Sequence, residues 1–89
     1  MFDWDDLRIF LAVARARKVA PAARALGVDA TTIARRIARL EAAVRAALFE
    51  TIGGERRPTA RGEALIAHAE AIESAALAAV GEVGGESSS

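Results

Sequence analysis

The chain has 89 residues, 23 of them alanine, so its large apolar side chains suffice for one small domain. That size excludes a TIM barrel or a doubly wound nucleotide-binding fold, and the lack of cysteine excludes disulfides, thiolate catalysis and Cys-ligated zinc. Twelve basic and twelve acidic residues cancel, yet every Arg and Lys lies between Arg8 and Arg61, while five glutamates and no cation follow Gly62.

Between Leu7 and Phe49 nine basic residues stand against two acidic ones. Such local polarity fits a surface that meets a polyanion, and it fits a solvated arginine-rich face equally well. The start is acidic (Asp3, Asp5, Asp6) and has neither the cationic end nor the long apolar run of a signal peptide. No uninterrupted apolar stretch approaches the roughly 20 residues that span a bilayer. A cytoplasmic domain is the expectation.

Alanine enrichment with few β-branched residues favours helix. Asp3 is suited to cap a first helix, and Asp6 in its first turn suits the helix dipole. Leu7, Phe10, Leu11 and Ala14 then recur at helical spacing, widened by Ile9 and Val13. Ala16–Lys18 reads as a break. A short second helix is predicted over Pro21–Leu26, with Pro21 in the first turn and Gly27 as its stop. Asp29 is a strong N-cap for a third helix running to about Ala46. Helix, short helix, glycine turn and helix form the helix-turn-helix pattern.

At 100° per residue, Ile33, Ile37, Leu40 and Val44 of the third helix form one apolar stripe. Opposite them fall Thr31, Arg35, Ala38, Arg39 and Ala42, with Thr32 and Arg36 on the flank. Small residues permit close approach to a surface, and arginine offers paired donors for guanine edges or phosphates. A plain solvent face of Arg and Ala has the same composition.

Leu48–Thr51 and Arg57–Thr59 flank Ile52–Arg56, which contains Gly53-Gly54 and predicts a small hairpin or wing. Arg56 and Arg57 then lie at its tip or on its second arm, and Pro58 needs an edge position. Thr59 is the right type to cap a last helix over about Ala60–Val80. Within it Leu65, Ala69, Ile72, Ala76 and Ala79 recur by four and three, a heptad-like seam read as a dimerisation surface. Gly81–Ser89, with three glycines and three terminal serines, is expected to be disordered.

Assembled, the sequence resembles the N-terminal DNA-binding domain of LysR-type transcriptional regulators over roughly Trp4 to Ile72. The likeness is carried by Leu7, Phe10 and Val13, by Ala22-Ala23 with Leu26, by Thr32-Ile33, Ile37 and Leu40-Glu41, by Leu48-Phe49, and by Thr59 with Gly62. It implies a mainly α fold: a winged helix-turn-helix over 1–59, a linker and dimerisation helix over 60–80, and a palindromic operator. The chain departs from the family pattern at four places. Lys18, Val19 and Ala20 replace a serine-rich entry to the second helix, and Asp29, Ala30 and Thr31 replace Ser-Gln-Pro. Arg45 stands where a glycine usually follows the third helix, and Thr51 replaces the arginine after Leu-Phe-Glu. Family members usually continue into a large effector-binding domain. None is expected in this chain, as either an excised domain or a naturally short regulator.

The resulting expectation is a homodimer on double-stranded DNA. Thr31, Thr32 and Arg35 read base edges, while Lys18, Arg36, Arg39, Arg56 and Arg57 hold phosphates. Leu65, Ala69, Ile72 and Ala76 pair the subunits. The alternative is a protein-interaction module on the same scaffold. No catalytic constellation, metal site or cofactor is expected. His68 is the single histidine, mid-helix beside Glu70, and no phosphate-binding glycine loop or nucleophile–base pair occurs.

Overall fold

In the computed structural model, which describes residues 3–84, four helices and one hairpin follow in the order α1 (Trp4–Ala16), α2 (Val19–Leu26), α3 (Ala30–Val44), β1 (Phe49–Ile52), β2 (Glu55–Pro58) and α4 (Ala60–Gly84). This is a winged helix-turn-helix with a long last helix, as expected.

α1 begins in a full capping box. The Asp6 N–H donates to Asp3 Oδ1 (3.1 Å), and the Asp3 N–H donates to Asp6 Oδ2 (3.3 Å). The helix ends at Arg17, whose φ of 65° is left-handed. α2 starts two residues earlier than predicted, with Pro21 third in the helix, still within the turn whose N–H groups have no intrahelical partner. Gly27 closes it at φ 70°, and its N–H donates to the carbonyls of Ala23 and Arg24. Asp29 then caps α3, its Oδ1 accepting from the Thr32 N–H at 2.7 Å.

α3 ends at Val44, two residues short of expectation, because Arg45 takes a left-handed conformation with φ 56°. A side chain is strained there, and this is the position where the resemblance leads one to expect glycine. Arg45→Gly is therefore expected to stabilise the domain by about 1 kcal/mol, raising the melting temperature by roughly 4–8 °C. An unchanged or lower melting temperature would show that the arginine makes a compensating contact.

The hairpin is tighter than predicted. β1 and β2 pair antiparallel, with Phe49 opposite Pro58 and Ile52 opposite Glu55, leaving only Gly53-Gly54 in the turn. Both turn glycines have positive φ (59° and 79°), the geometry a two-residue hairpin loop requires and glycine supplies at no steric cost. Arg56 and Arg57 thus lie on the second strand and not at the tip.

The core gathers between α1, α2, α3 and the root of the wing. Phe10, Leu11, Val13, Ile33, Leu40 and Leu48 are almost fully buried, and the Phe10 and Phe49 rings meet at 5.2 Å, tilted by 45°. α3 is tied to the wing because the Leu48 N–H donates to the Glu41 carboxylate (2.8 Å). Thr59 closes the next joint. Its hydroxyl donates to the Ala47 carbonyl (2.6 Å) and accepts from the Gly62 N–H (3.1 Å), so it caps α4 as predicted.

α4 runs four residues past the predicted end, through Gly81 to Gly84, while 85–89 of the expected disordered tail lie outside the described residues. Its 25 residues, about 37 Å at 1.5 Å each, account for most of the molecule's 46 Å long dimension. Only its first part rests on the body. Ala69, expected in the dimerisation seam, is instead wholly buried in the core, because its methyl fits where α1 and α4 cross. Beyond it Ile72, Leu77, Val80 and Val83 are exposed. An 18-residue window of α4 reaches a mean hydropathy of 1.3, so by length and composition alone the helix also suits a membrane. Its Glu70 and Glu73, however, are tied to Arg15 of α1, the latter at 2.8 Å. Glu73 is held below the usual carboxylate range by that hydrogen bond.

Candidate nucleic-acid interface

The tight turn at Gly27–Asp29 projects α3 from the surface with its apolar stripe inward. Ile33, Ile37 and Leu40 are buried, and Val44 is half-buried at the far end. Thr31, Arg35, Ala38, Arg39 and Ala42 are exposed, and Thr32 and Arg36 are intermediate, as the helical phase predicts. Thr31 and Arg35 lie one turn apart at the open end of the helix. Asp29, capping that end, is held below the usual range, chiefly by the Thr32 N–H and to a lesser degree by the nearby Arg35 charge.

The cations of α3 divide into two groups. Arg35 forms no ion pair among the described residues, whereas Arg36 and Arg39 both turn towards the acidic start of α1. Arg36 Nη1 donates to Asp6 Oδ1 at 2.8 Å and lies 3.4 Å from Asp5 Oδ2. Arg39 Nε lies 2.9 Å from Asp6 Oδ2, and its Nη2 donates to Asp3 Oδ2 at 3.4 Å. The Asp6 hydrogen bond holds the Arg36 guanidinium still further above its ordinary value. The structure thus pairs two predicted phosphate ligands with acids of the same chain. Asp6, expected as a first-turn dipole partner, has a fully buried side chain between these arginines.

A second group of cations forms where the wing returns to the body. The Arg56 N–H donates to the Arg17 carbonyl at 2.7 Å, fastening β2 to the turn between α1 and α2. Lys18 follows at once as the N-cap of α2, with no side-chain hydrogen bond to the helix. The backbones of Arg17, Lys18 and Arg56 therefore adjoin, and none of the three is in an ion pair among the described residues. Arg57 lies 3.5 Å from Glu55 on its own strand. The sequence marks Arg17 only by its place beside Lys18, in the break between two helices.

An apolar cleft of about 180 Å³ lies elsewhere, lined by Val44, Ala46, Leu48, Leu65 and Ala64, with Arg61 and His68 among its walls. Among the described residues no group of three or more His, Cys, Asp or Glu side chains is placed to hold a metal ion.

Residues 4–63 match the sequence profile of the bacterial regulatory helix-turn-helix proteins of the lysR family. Over 76 residues the chain is 45% identical to the Mau operon transcriptional activator of Paracoccus denitrificans, covering 85% of this chain and 27% of that relative's length. The DNA-binding domain of CbnR, solved in complex with DNA, is 30% identical and superposes with a TM-score of 0.84, covering 92% of this chain and 94% of that one. The probable transcriptional regulator PA0477 of Pseudomonas aeruginosa is 31% identical with a TM-score of 0.81, covering 91% of this chain and 27% of that one. The BenM DNA-binding domain, at 23% identity, shares the fold with a TM-score of 0.87. The family profile spans both the helix-turn-helix and the wing, and the chain belongs to the lysR family of bacterial regulatory helix-turn-helix proteins, of which it carries the winged DNA-binding domain.

Proposed function

We propose that the domain binds a specific duplex sequence as a homodimer and acts in transcriptional regulation in the cytoplasm. The observation that carries this reading is the outward face of α3, where Thr31 and Arg35 are exposed and Arg35 is in no ion pair among the described residues. Two such helices enter successive major grooves about 34 Å apart on a palindromic operator. Thr31, Thr32 and Arg35 read base edges, and alanines between them let the helix approach closely. Phosphates fall to Lys18, Arg56 and Arg57, joined by Arg17. Arg36 and Arg39 move from phosphate contacts to intramolecular pairing. The CbnR relative, solved on DNA, supports the mode of binding.

The subunits pair through α4. Ile72 and Ala76 keep their place in the seam, Leu65 lines its inner end beside the cleft, and Ala69 drops out because it is core. The exposed Leu77, Val80 and Val83 extend that surface. Those residues also favour the alternative, a protein-interaction module without specific DNA binding.

A salt series separates the two. On a duplex selected from a random pool, affinity should fall steeply between about 50 and 200 mM salt as counterions return to the phosphates. Arg56→Ala should weaken all duplexes alike and flatten the log–log slope by about one. Indifference to every duplex in dilute buffer would leave only the protein-interaction reading. Oligomer size measured in parallel tests the pairing through α4.

A further inference from the structure

We infer that Asp6 is a specificity-determining positioning residue, which sets the rotation of α3 about its own axis by gripping Arg36 and Arg39 from α1. This rests on reading α3 as the helix that meets base edges.

Asp6 is the one charged side chain buried in the core among the described residues, with relative exposure of 0%. One carboxylate oxygen takes Arg36 at 2.8 Å and the other lies 2.9 Å from Arg39, while the Asp3 N–H also donates to it at 3.3 Å. Arg36 and Arg39 are three residues apart and so neighbours on one face, and each has a separate oxygen. A helix held at two points by one rigid, planar group resists both rotation and sliding.

The other contacts of α3 are the apolar stripe of Ile33, Ile37 and Leu40, whose attraction is non-directional, and the Glu41 hydrogen bond to the Leu48 N–H near its far end. The Asp6 carboxylate adds a second directional restraint, closer than Glu41 to Thr31 and Arg35. The required tolerance is small. A turn of about 20° carries an atom roughly 6 Å from the axis by about 2 Å, more than a base-edge hydrogen bond survives. Buried ion pairs contribute little net stability but in some proteins define one arrangement among several, and here Arg39 stands one turn from Arg35 on the outward face of α3.

The effect has a signature that general destabilisation lacks. Asp6→Asn loosens α3 and removes one negative charge from beside two arginines, which keep only their more exposed partners Asp3 and Asp5, so discrimination falls while non-specific attraction does not. The experiment measures affinity for the wild-type-selected duplex and for a scrambled duplex of equal composition, at temperatures where circular dichroism shows the protein folded. Asp6→Asn should reduce the selected-to-scrambled ratio about tenfold, with scrambled binding unchanged or tighter. Where Asp6→Asn does not fold, Arg39→Lys serves instead, because it keeps the charge and the salt slope but loses the Nε contact. It too should lower the ratio. Folded variants with the wild-type ratio would overturn the inference alone, whereas a wild-type protein that fails to separate the two duplexes overturns the DNA reading itself.

Discussion

Arg35→Ala is expected to weaken binding to the selected duplex by about 1–3 kcal/mol and to relax base choice at the position it reads. The size follows from what the residue lacks in the free protein. Arg36 and Arg39 leave existing carboxylate partners if they turn to DNA, whereas Arg35 gives up only water. Its planar fork is also pre-organised for the two acceptors of a guanine edge. Arg35→Lys separates geometry from charge. Lysine should keep most of the affinity for scrambled duplex and its salt dependence, yet lose much of the discrimination. Binding measured against a panel of single-base changes checks both variants, and unchanged selectivity in Arg35→Ala would remove this residue from the reading face.

The largest effect on stability is expected at Gly62. Its backbone lies so close to the carbonyl of Leu48 that an added Cβ would overlap that oxygen and press on the Pro58 side chain. The obstacle is backbone, which relieves itself only by moving the start of β1 or the first turn of α4. Both are fixed, the one by the Glu41 hydrogen bond to Leu48 N–H and the other by the Thr59 cap. Gly62→Ala should therefore cost about 3 kcal/mol, the upper end of ordinary overpacking, and lower the melting temperature by roughly 12–24 °C. Gly81→Ala is the control. A Cβ there meets nothing within 4 Å, and alanine in an exposed helix is favoured over glycine by about 1 kcal/mol. A Gly62→Ala domain melting like the parent would mean the joint between wing and α4 is more yielding than its hydrogen bonds indicate. DNA affinity should fall with stability in Gly62→Ala and stay unchanged in Gly81→Ala.

The two variants also separate the local from the non-local part of the sequence's information. Caps, stops and helical phase depend on residues within one or two turns of each other. Asp3, Gly27, Asp29 and Thr59 therefore announce their roles in the sequence, and Thr31 and Arg35 can be placed on the outer face of α3 by counting 100° per residue. The hairpin was legible through Gly53-Gly54, although its register was not, since pairing is decided between strands. Composition overreached at the chain's end, where Gly81 reads as the start of a disordered tail yet lies within α4.

Asp6, Arg36 and Arg39 show where that local reading stops. An acid at the first turn of one helix and two arginines some 30 residues later each have an adequate separate explanation, as dipole partner and as phosphate ligands. Only the packing of α1 across α3 brings them together. The close approach then favours pairing over solvation, since a buried carboxylate left unpaired costs far more than two exposed arginines gain from water. Ala69 is the same case in apolar form, at a heptad-like position that could meet a partner or the body, and the crossing of α1 and α4 puts it in the core. The sequence by itself thus determined the helices, their caps and the outward face of α3, because these follow from neighbours along the chain. Which cations are left without a carboxylate partner, and which part of α4 remains exposed, was decided only when distant segments came into contact.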